Sequence, residues 1–153
     1  MTAQPSVLVI AGTDSSGGAG LGRDLVTLAD HNVHACTAVT AVTAQTDAKV
    51  TAIHHIPPEI IAAQITAALS RPSVRAIKIG MLGTAATVEA VVQALKSARD
   101  IPIVIDPVLC STSGTELLDK EGVEILCKEL LPICRMITPN LPATSILSGL
   151  PMS

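Results

Sequence analysis

The sequence predicts an α/β domain of three layers, with a mostly parallel sheet and helices on both of its faces. Short runs rich in Val and Ile alternate with segments whose apolar residues recur at helical spacing. A chain of 153 residues is the length of a single domain, here residues 1–153. Hydrophobic residues make up 48% of the chain and none is Phe, Trp or Tyr, so we expect an aliphatic core.

The first strand, Val7–Ala11, leads into a glycine-rich turn, and a helix begins near Gly20. The backbone N–H groups of residues 17–20 are candidates for holding negative charge, because glycine permits close approach and the helix dipole favours anions there. A P-loop would need Lys and then Ser or Thr after Gly17, and the dinucleotide fingerprint G-x-G-x-x-G fits no register. A tight connection that binds no ligand therefore remains an alternative.

Residues at helical spacing predict the buried stripe of the first helix: Leu21, Leu25 and Leu28. Asp24 lies at the edge of this stripe, where an acid is also favoured simply by its position near a helix N-terminus. The next strand is predicted at residues 35–43, and Gln45 comes just after it. The amide of Gln45 offers a donor and an acceptor side by side, which can match a ring nitrogen and a neighbouring amino group of a ligand. An ordinary surface glutamine is the alternative.

The remaining elements are predicted in this order: a strand at 50–56, a helix at 58–70, a strand at 76–79, a helix capped by Thr84, a strand at 102–106, a helix from Asp119 to about Leu131, a strand at 135–138 and a short helix ending at Gly149. Met81, Asp106 and Asn140 each stand at or just after the end of a strand. In a parallel sheet such positions share one edge, so we expect a site there. Met81 could equally be a core residue.

Composition excludes several classes of function. The net charge is −3 and the basic residues are scattered, which argues against a nucleic-acid partner. No apolar run reaches the roughly 18 residues of a membrane span, and residues 1–6 lack the features of a signal peptide. The four cysteines form no C-x-x-C pair and are expected to be reduced, in a cytoplasmic protein. No residue is predicted as a direct metal ligand.

Four stretches resemble the motifs of a known enzyme family in their order and spacing: Gly12-Thr-Asp-Ser-Ser-Gly-Gly-Ala-Gly20 with Asp24, Thr40-Ala-Val-Thr-Ala-Gln45, Lys78-Ile-Gly-Met-Leu82 and Ile137-Thr-Pro-Asn-Leu-Pro142. The family is that of the hydroxymethylpyrimidine and phosphomethylpyrimidine kinases of thiamine biosynthesis, in the ribokinase-like superfamily. The likeness implies ATP-dependent phosphorylation of 4-amino-5-hydroxymethyl-2-methylpyrimidine, its monophosphate or both, with ATP and Mg²⁺ as cofactors. It also implies that the strand at 50–56 belongs to a flap outside the main sheet.

The resemblance assigns roles to individual positions. The residues implied to contact the pyrimidine are Gly12, Asp24, Gln45 and Met81, with Asp24 near the hydroxymethyl group. Asp106 and Asn140 are implied to lie near the phosphates and Mg²⁺. The catalytic residues of the family are expected in a C-terminal, nucleotide-binding part that would follow Ser153, so the fold is expected to be incomplete on that side. The family pattern Asn-x-x-Glu also reads Asn140-Leu-Pro-Ala143 here, and alanine cannot accept from a metal-bound water.

Three hypotheses follow. In the first, the chain is a pyrimidine kinase that is either shortened or completed by another chain, and its expected partner is a second copy in a homo-oligomer or that complementing chain. In the second, it is an inactive remnant that binds the pyrimidine or only keeps the fold. In the third, it is a related vitamin kinase that acts on pyridoxal, because pyridine and pyrimidine substrates share ring size and a hydroxymethyl arm.

Overall fold

The structure, a computed structural model, describes residues 4–46, 49–111 and 114–150. Within them the elements follow in this order: β1 (Ser6–Ala11), α1 (Gly20–Asp30), β2 (His34–Val39), β3 (Ala41–Gln45), β4 (Val50–His55), α2 (Pro58–Leu69), β5 (Val74–Ile79), α3 (Ala85–Leu95), β6 (Ile103–Ile105), α4 (Lys120–Ile125), β7 (Met136–Ile137) and α5 (Leu141–Ser148). A π-helical turn (Leu126–Leu130) and a 3-10 turn (Leu131–Ile133) follow α4.

The main sheet has the strand order β2-β1-β5-β6-β7, and each neighbouring pair is parallel. The strong alternation of strand and helix in the sequence therefore predicted the sheet type correctly. Because the strands are parallel, the loops that follow them open at the same edge of the sheet. β7 lies at the outer margin of this sheet.

Side chains of β1 alternate between two hydrophobic clusters, one on each face of the sheet. Leu8 and Ile10 pack with the buried residues of α2 and α3, whereas Val9 and Ala11 pack with Leu21 of α1. Helices on both faces are thus confirmed. The predicted stripe of α1 is only partly correct, because Leu25 is 40% exposed.

The single strand predicted at residues 35–43 is wrong, because the chain breaks at Thr40. The backbone N–H of Thr40 donates to the carbonyl of Ala11 (3.0 Å), and its hydroxyl donates to the carbonyl of Met81 (2.6 Å). Its own carbonyl accepts from the N–H of Ile56 (2.9 Å). Thr40 is thus bonded to three separate segments, and a regular ladder cannot continue through it.

Beyond Thr40 the chain forms an antiparallel hairpin, β3–β4, which is a separate two-stranded sheet. The expectation that the strand at 50–56 lies outside the main sheet is therefore confirmed. β3 carries Gln45 as its last residue, so this glutamine lies at the end of a hairpin strand and not just past a strand of the main sheet.

The predicted caps are present. The Thr84 hydroxyl accepts from the N–H of Thr87 (3.2 Å), and the Asp119 carboxylate accepts from the N–H of Gly122 (2.7 Å). The helix predicted from Asp119 to about Leu131 ends its α-helical part at Ile125 and continues as the π and 3-10 turns. Pro132 lies in the last turn, and because proline has no N–H it cannot support a regular α-helix there.

Candidate functional site

A cleft of about 440 Å³ lies at the carboxyl ends of the parallel strands. Its wall includes residues from the loops after β1, β5 and β6, together with both strands of the β3–β4 hairpin. Five of the six residues singled out in the sequence line it: Gly12, Gln45, Met81, Asp106 and Asn140. The sixth, Asp24, is connected to the cleft through another side chain.

Asp14 organises the glycine-rich turn at one end of this cleft. One carboxylate oxygen accepts from the N–H and the hydroxyl of Ser16, both at 2.8 Å, and the other accepts from the N–H of Ala19 at 2.9 Å. The N–H of Gly17 donates to the Asp14 carbonyl, and that of Gly18 donates to the Ser16 hydroxyl at 3.4 Å. Gly17, Gly18 and Ala19 thus have partners within the turn, and the expectation that the amides of residues 17–20 hold negative charge from a ligand stays a prediction.

The same contacts set the ionisation of Asp14. Burial raises the pKa of this carboxyl, but the hydrogen bonds from Ser16 and Ala19 to its charged form help to outweigh burial and leave the pKa below its ordinary value. A depressed pKa in the folded state contributes stability that is present above the unfolded-state pKa. That stability is lost as the pH falls through the folded-state pKa.

Replacing Asp14 with Asn is therefore expected to lower the free energy of unfolding by about 1 kcal/mol at neutral pH. The exposure of the turn keeps this figure small. Below about pH 4 the wild-type and variant proteins should differ less in their free energy of unfolding, because the wild-type carboxyl is then being protonated. Urea unfolding followed by far-UV circular dichroism over a pH series measures this; an equal difference at every pH would contradict it.

Gly12 and Met81 lie against each other in the cleft wall. A Cβ added at Gly12 would lie 3.3 Å from the sulfur of Met81, so the two residues pack closely. Met81 is half-buried, and its carbonyl is held by the Thr40 hydroxyl. Gln45 is also half-buried and lines the opposite, hairpin part of the wall. The sequence-based grouping of these three residues at one site thus agrees with their positions.

Lys78, the second-to-last residue of β5, lies near two acids that the sequence singled out. Its ammonium nitrogen lies 2.6 Å from a carboxylate oxygen of Asp24, and both side chains are about one-quarter exposed. Burial raises the pKa of Asp106; Lys78 lowers it, Asp24 raises it, and the net change is upward. Asp24 is not itself a lining residue, but Lys78 is, so the carboxylate of Asp24 reaches the cleft through this ion pair.

Asn140 lies at the rim of the cleft and begins α5. Its side-chain oxygen accepts from the N–H of Ala143 at 2.8 Å, which is a helix cap. Ala143 is 2% exposed. The position that carries glutamate in the family motif is thus turned into the core here, where an apolar methyl suits the packing.

Some site residues escaped the sequence analysis. Lys78 lies in a quoted motif but received no role, although a lysine within a strand whose neighbours are buried was a usable signal. Asp14 and Ser15 were quoted only as part of the turn, and their partners could not be read from spacing. Among the described residues, no group of three or more His, Cys, Asp or Glu side chains could hold a metal ion. In the same ranges, no helix has the length and apolar character needed to cross a bilayer.

Comparisons with known proteins identify relatives of this chain. The family model described as phosphomethylpyrimidine kinase matches residues 14–153. The hydroxymethylpyrimidine/phosphomethylpyrimidine kinase of Mycobacterium leprae is 42% identical over 145 residues, which cover 94% of this chain and 52% of that protein. The chain thus spans about half the length of the curated relatives it matches.

Solved structures agree in fold. The crystal structure of a phosphomethylpyrimidine kinase from Clostridium difficile superposes with a TM-score of 0.88 at 38% identity, covering 96% of this chain and 64% of that one. A pyridoxal kinase from Staphylococcus aureus, in complex with AMP-PCP and pyridoxal, gives a TM-score of 0.82 at 31% identity over 96% of this chain and 52% of its own. The ribokinase-like fold class is confirmed, and the chain belongs to the phosphomethylpyrimidine kinase family.

Proposed function

We propose that this chain binds 4-amino-5-hydroxymethyl-2-methylpyrimidine, or its monophosphate, as the acceptor in an ATP-dependent phosphorylation of thiamine biosynthesis. The observation that carries the proposal is the meeting of Gly12, Gln45 and Met81 on one cleft at the carboxyl ends of the strands. The chain belongs to a family whose curated members are named as kinases of this pyrimidine. No finding favours the alternative of an inactive remnant.

The residues of the cleft suit a small, flat, polar ring. The Gln45 amide can donate to a ring nitrogen while accepting from an exocyclic amino group. Because the chain contains no aromatic residue, stacking must be replaced by contact with aliphatic and thioether groups, and Met81 offers a polarizable one. Asp24, which the resemblance implies lies near the hydroxymethyl group, does not line the cleft itself, but its ion-pair partner Lys78 does.

The phosphoryl donor is proposed to be ATP, in keeping with the AMP-PCP in the pyridoxal kinase complex. Bound Mg²⁺ would offset the charge of the phosphates. The described residues do not form a magnesium site by themselves. Asp106 offers one carboxylate, the Asn140 oxygen already caps α5, and position 143 is an apolar alanine.

An exposed apolar surface next to β7 supports the proposal that this chain works together with another chain. β7 is the last strand of the described sheet, and apolar side chains around it and on α5 are exposed: Ile133, Met136, Ile137, Leu141, Ile146 and Leu150. A sheet edge flanked by such side chains invites pairing with another chain. We propose that a second copy or a complementing chain covers this surface.

Replacing both Met136 and Ile137 with Lys is expected to prevent self-association, because charged side chains at a sheet edge oppose pairing. The wild-type chain should elute as a dimer or larger species in size exclusion with light scattering, and the double variant as a monomer. Val26 on α1 is similarly exposed, so Val26→Lys is the matched control and should leave the mass unchanged. A monomeric wild-type chain would refute the proposed self-association.

The four cysteines are free thiols, which agrees with the proposed cytoplasmic location.

Pyridoxal is a second candidate acceptor, because pyridoxal kinases superpose on almost the whole chain. Calorimetric titration with the pyrimidine, its monophosphate and pyridoxal ranks the ligands, and a coupled assay for ADP release with ATP detects turnover. We expect a pyrimidine to bind more tightly than pyridoxal. Failure of both pyrimidines to bind would remove the proposal.

A further inference from the structure

The glycine-rich turn and β3 are joined side by side through hydroxyl groups. The N–H of Thr13 donates to the carbonyl of Ala41 at 2.9 Å, and the hydroxyl of Thr43 donates to the carbonyl of Thr13 at 2.8 Å. Residues 13–15 thus extend along β3 on the side away from β4. The turn and the hairpin, which come from distant parts of the sequence, therefore form a connected wall of the cleft.

Ser15 ends this row of contacts at Gln45. Its hydroxyl donates to the Gln45 carbonyl at 2.7 Å and accepts from the Gln45 N–H, also at 2.7 Å. A hydroxyl carries one donor and two acceptor sites, so one side chain can satisfy both backbone groups of one residue. The backbone of Gln45 is therefore held from the turn side.

The opposite side of Gln45 is less regular. The pairing of β3 with β4 shifts register between Ala44 and Gln45, where Gln45 faces Val50. A bulge of this kind interrupts the ladder and bends the strand, which can re-aim a side chain next to a binding site. The two hydrogen bonds of the Ser15 hydroxyl are made at this irregular position, to the backbone of the last residue of β3.

We propose that Ser15 is a positioning residue that holds Gln45 in the orientation needed to recognise the amino group of the pyrimidine. The inference rests on the proposed function, because it assigns the reading of that amino group to Gln45. A site built to hydrogen-bond one polar group discriminates strongly against an analogue that lacks it, provided its own groups are fixed. Replacement of Ser15 should therefore mainly lower the ratio of affinities for a ligand with the amino group and one without it. The free energy of unfolding should change less.

The chain offers matched variants. Ser15→Ala removes the hydroxyl, and Ser15→Thr keeps it at an exposed position where an added methyl can be accommodated. Thr51→Ala is the control, because the Thr51 hydroxyl donates to the Ala44 carbonyl at 2.8 Å on the same hairpin without lining the cleft. Each of the three variants changes one side chain whose hydroxyl is hydrogen-bonded to the backbone of the hairpin.

The test measures the affinities of 4-amino-5-hydroxymethyl-2-methylpyrimidine and of the same ring without its amino group, by calorimetry. In the Ser15→Ala variant, affinity for the amino compound should fall about tenfold while affinity for the deamino compound stays unchanged. Ser15→Thr and Thr51→Ala should keep the wild-type ratio. An unchanged ratio in Ser15→Ala, or an equal loss for both ligands, would overturn the proposal.

A second readout needs no ligand. Hydrogen exchange of the Gln45 amide should become faster in Ser15→Ala and remain slow in Thr51→Ala, because only the first variant removes the acceptor of that N–H. Unchanged exchange would contradict the positioning role whatever the chain binds. Failure of the wild-type chain to bind the amino compound would instead refute the proposed function, and with it the specificity role of Ser15.

Discussion

Replacing Lys78 with Met is expected to lower the free energy of unfolding by about 2 kcal/mol at neutral pH. Methionine preserves the length and apolar character of the stem but removes the charge, so Asp24 loses its ion-pair partner. Breaking a fully buried pair costs about 3–5 kcal/mol. The Lys78 and Asp24 side chains are 28% and 24% exposed, and screening by water reduces the expected loss.

This loss should depend on pH in a defined direction. Burial raises the pKa of Asp106, Lys78 opposes that rise, and Asp24 adds to it, so removing Lys78 should raise the pKa further. A carboxyl whose folded-state pKa lies above its unfolded-state pKa destabilises the protein once it is charged. This cost is fully present above the folded-state pKa and absent below the unfolded-state pKa. The deficit of Lys78→Met should therefore shrink under acidic conditions.

Urea unfolding at several pH values, together with carboxyl carbon NMR of Asp106, measures both effects. The matched control is the double variant Asp24→Asn with Lys78→Met, which removes both partners and should recover part of the lost stability. A deficit that stays constant with pH, or a double variant less stable than Lys78→Met alone, would show that the charge of Lys78 is not what matters.

Replacing Gly20 with Ala is expected to cost about 2–4 kcal/mol and to disrupt the glycine-rich turn. Gly20 has φ +59°, and a Cβ placed there would lie 2.5 Å from the carbonyl oxygen of Gly12. That oxygen already accepts the N–H of Leu21 at 3.0 Å. The clash is with backbone at the cleft, so a rotamer change cannot relieve it.

Gly22, two residues further along α1, is the internal control for this result. It has open space around its Cα and no positive φ, so Gly22→Ala should stabilise the helix by about 0.5–1 kcal/mol. Denaturant titrations of the two variants compare the same chemical change within one helix. Similar effects at both positions would contradict the assignment of Gly20 as a conformational requirement.

The regular elements could be predicted because local periodicity determines them. Strand and helix alternation gave the parallel sheet, and Val88, Val91, Val92 and Leu95 of α3 are all buried at helical spacing. The break at Thr40 was missed because its three backbone partners come from distant segments. A run rich in Thr and Val has the local preference of one long strand, and tertiary contacts override it.

The site was predictable to the extent that it lies at strand ends. Gly12, Met81 and Asp106 follow parallel strands, and the parallel sheet alone brings them together. Lys78 and Ser15 were missed because their roles depend on partners 54 and 30 residues away along the chain. Long-range pairing of this kind leaves no periodic mark in one sequence.

The most direct test of the account is an NMR titration of the ¹⁵N-labelled chain with 4-amino-5-hydroxymethyl-2-methylpyrimidine. If the ligand binds in the cleft formed by the strand ends and the hairpin, the changes in amide chemical shift are expected to be largest at Gly12, Gln45 and Met81. Absence of shifts at millimolar ligand would contradict the proposal that this cleft binds the pyrimidine. So would shifts confined to the amino ends of β6 and β7, around Arg99 and Arg135.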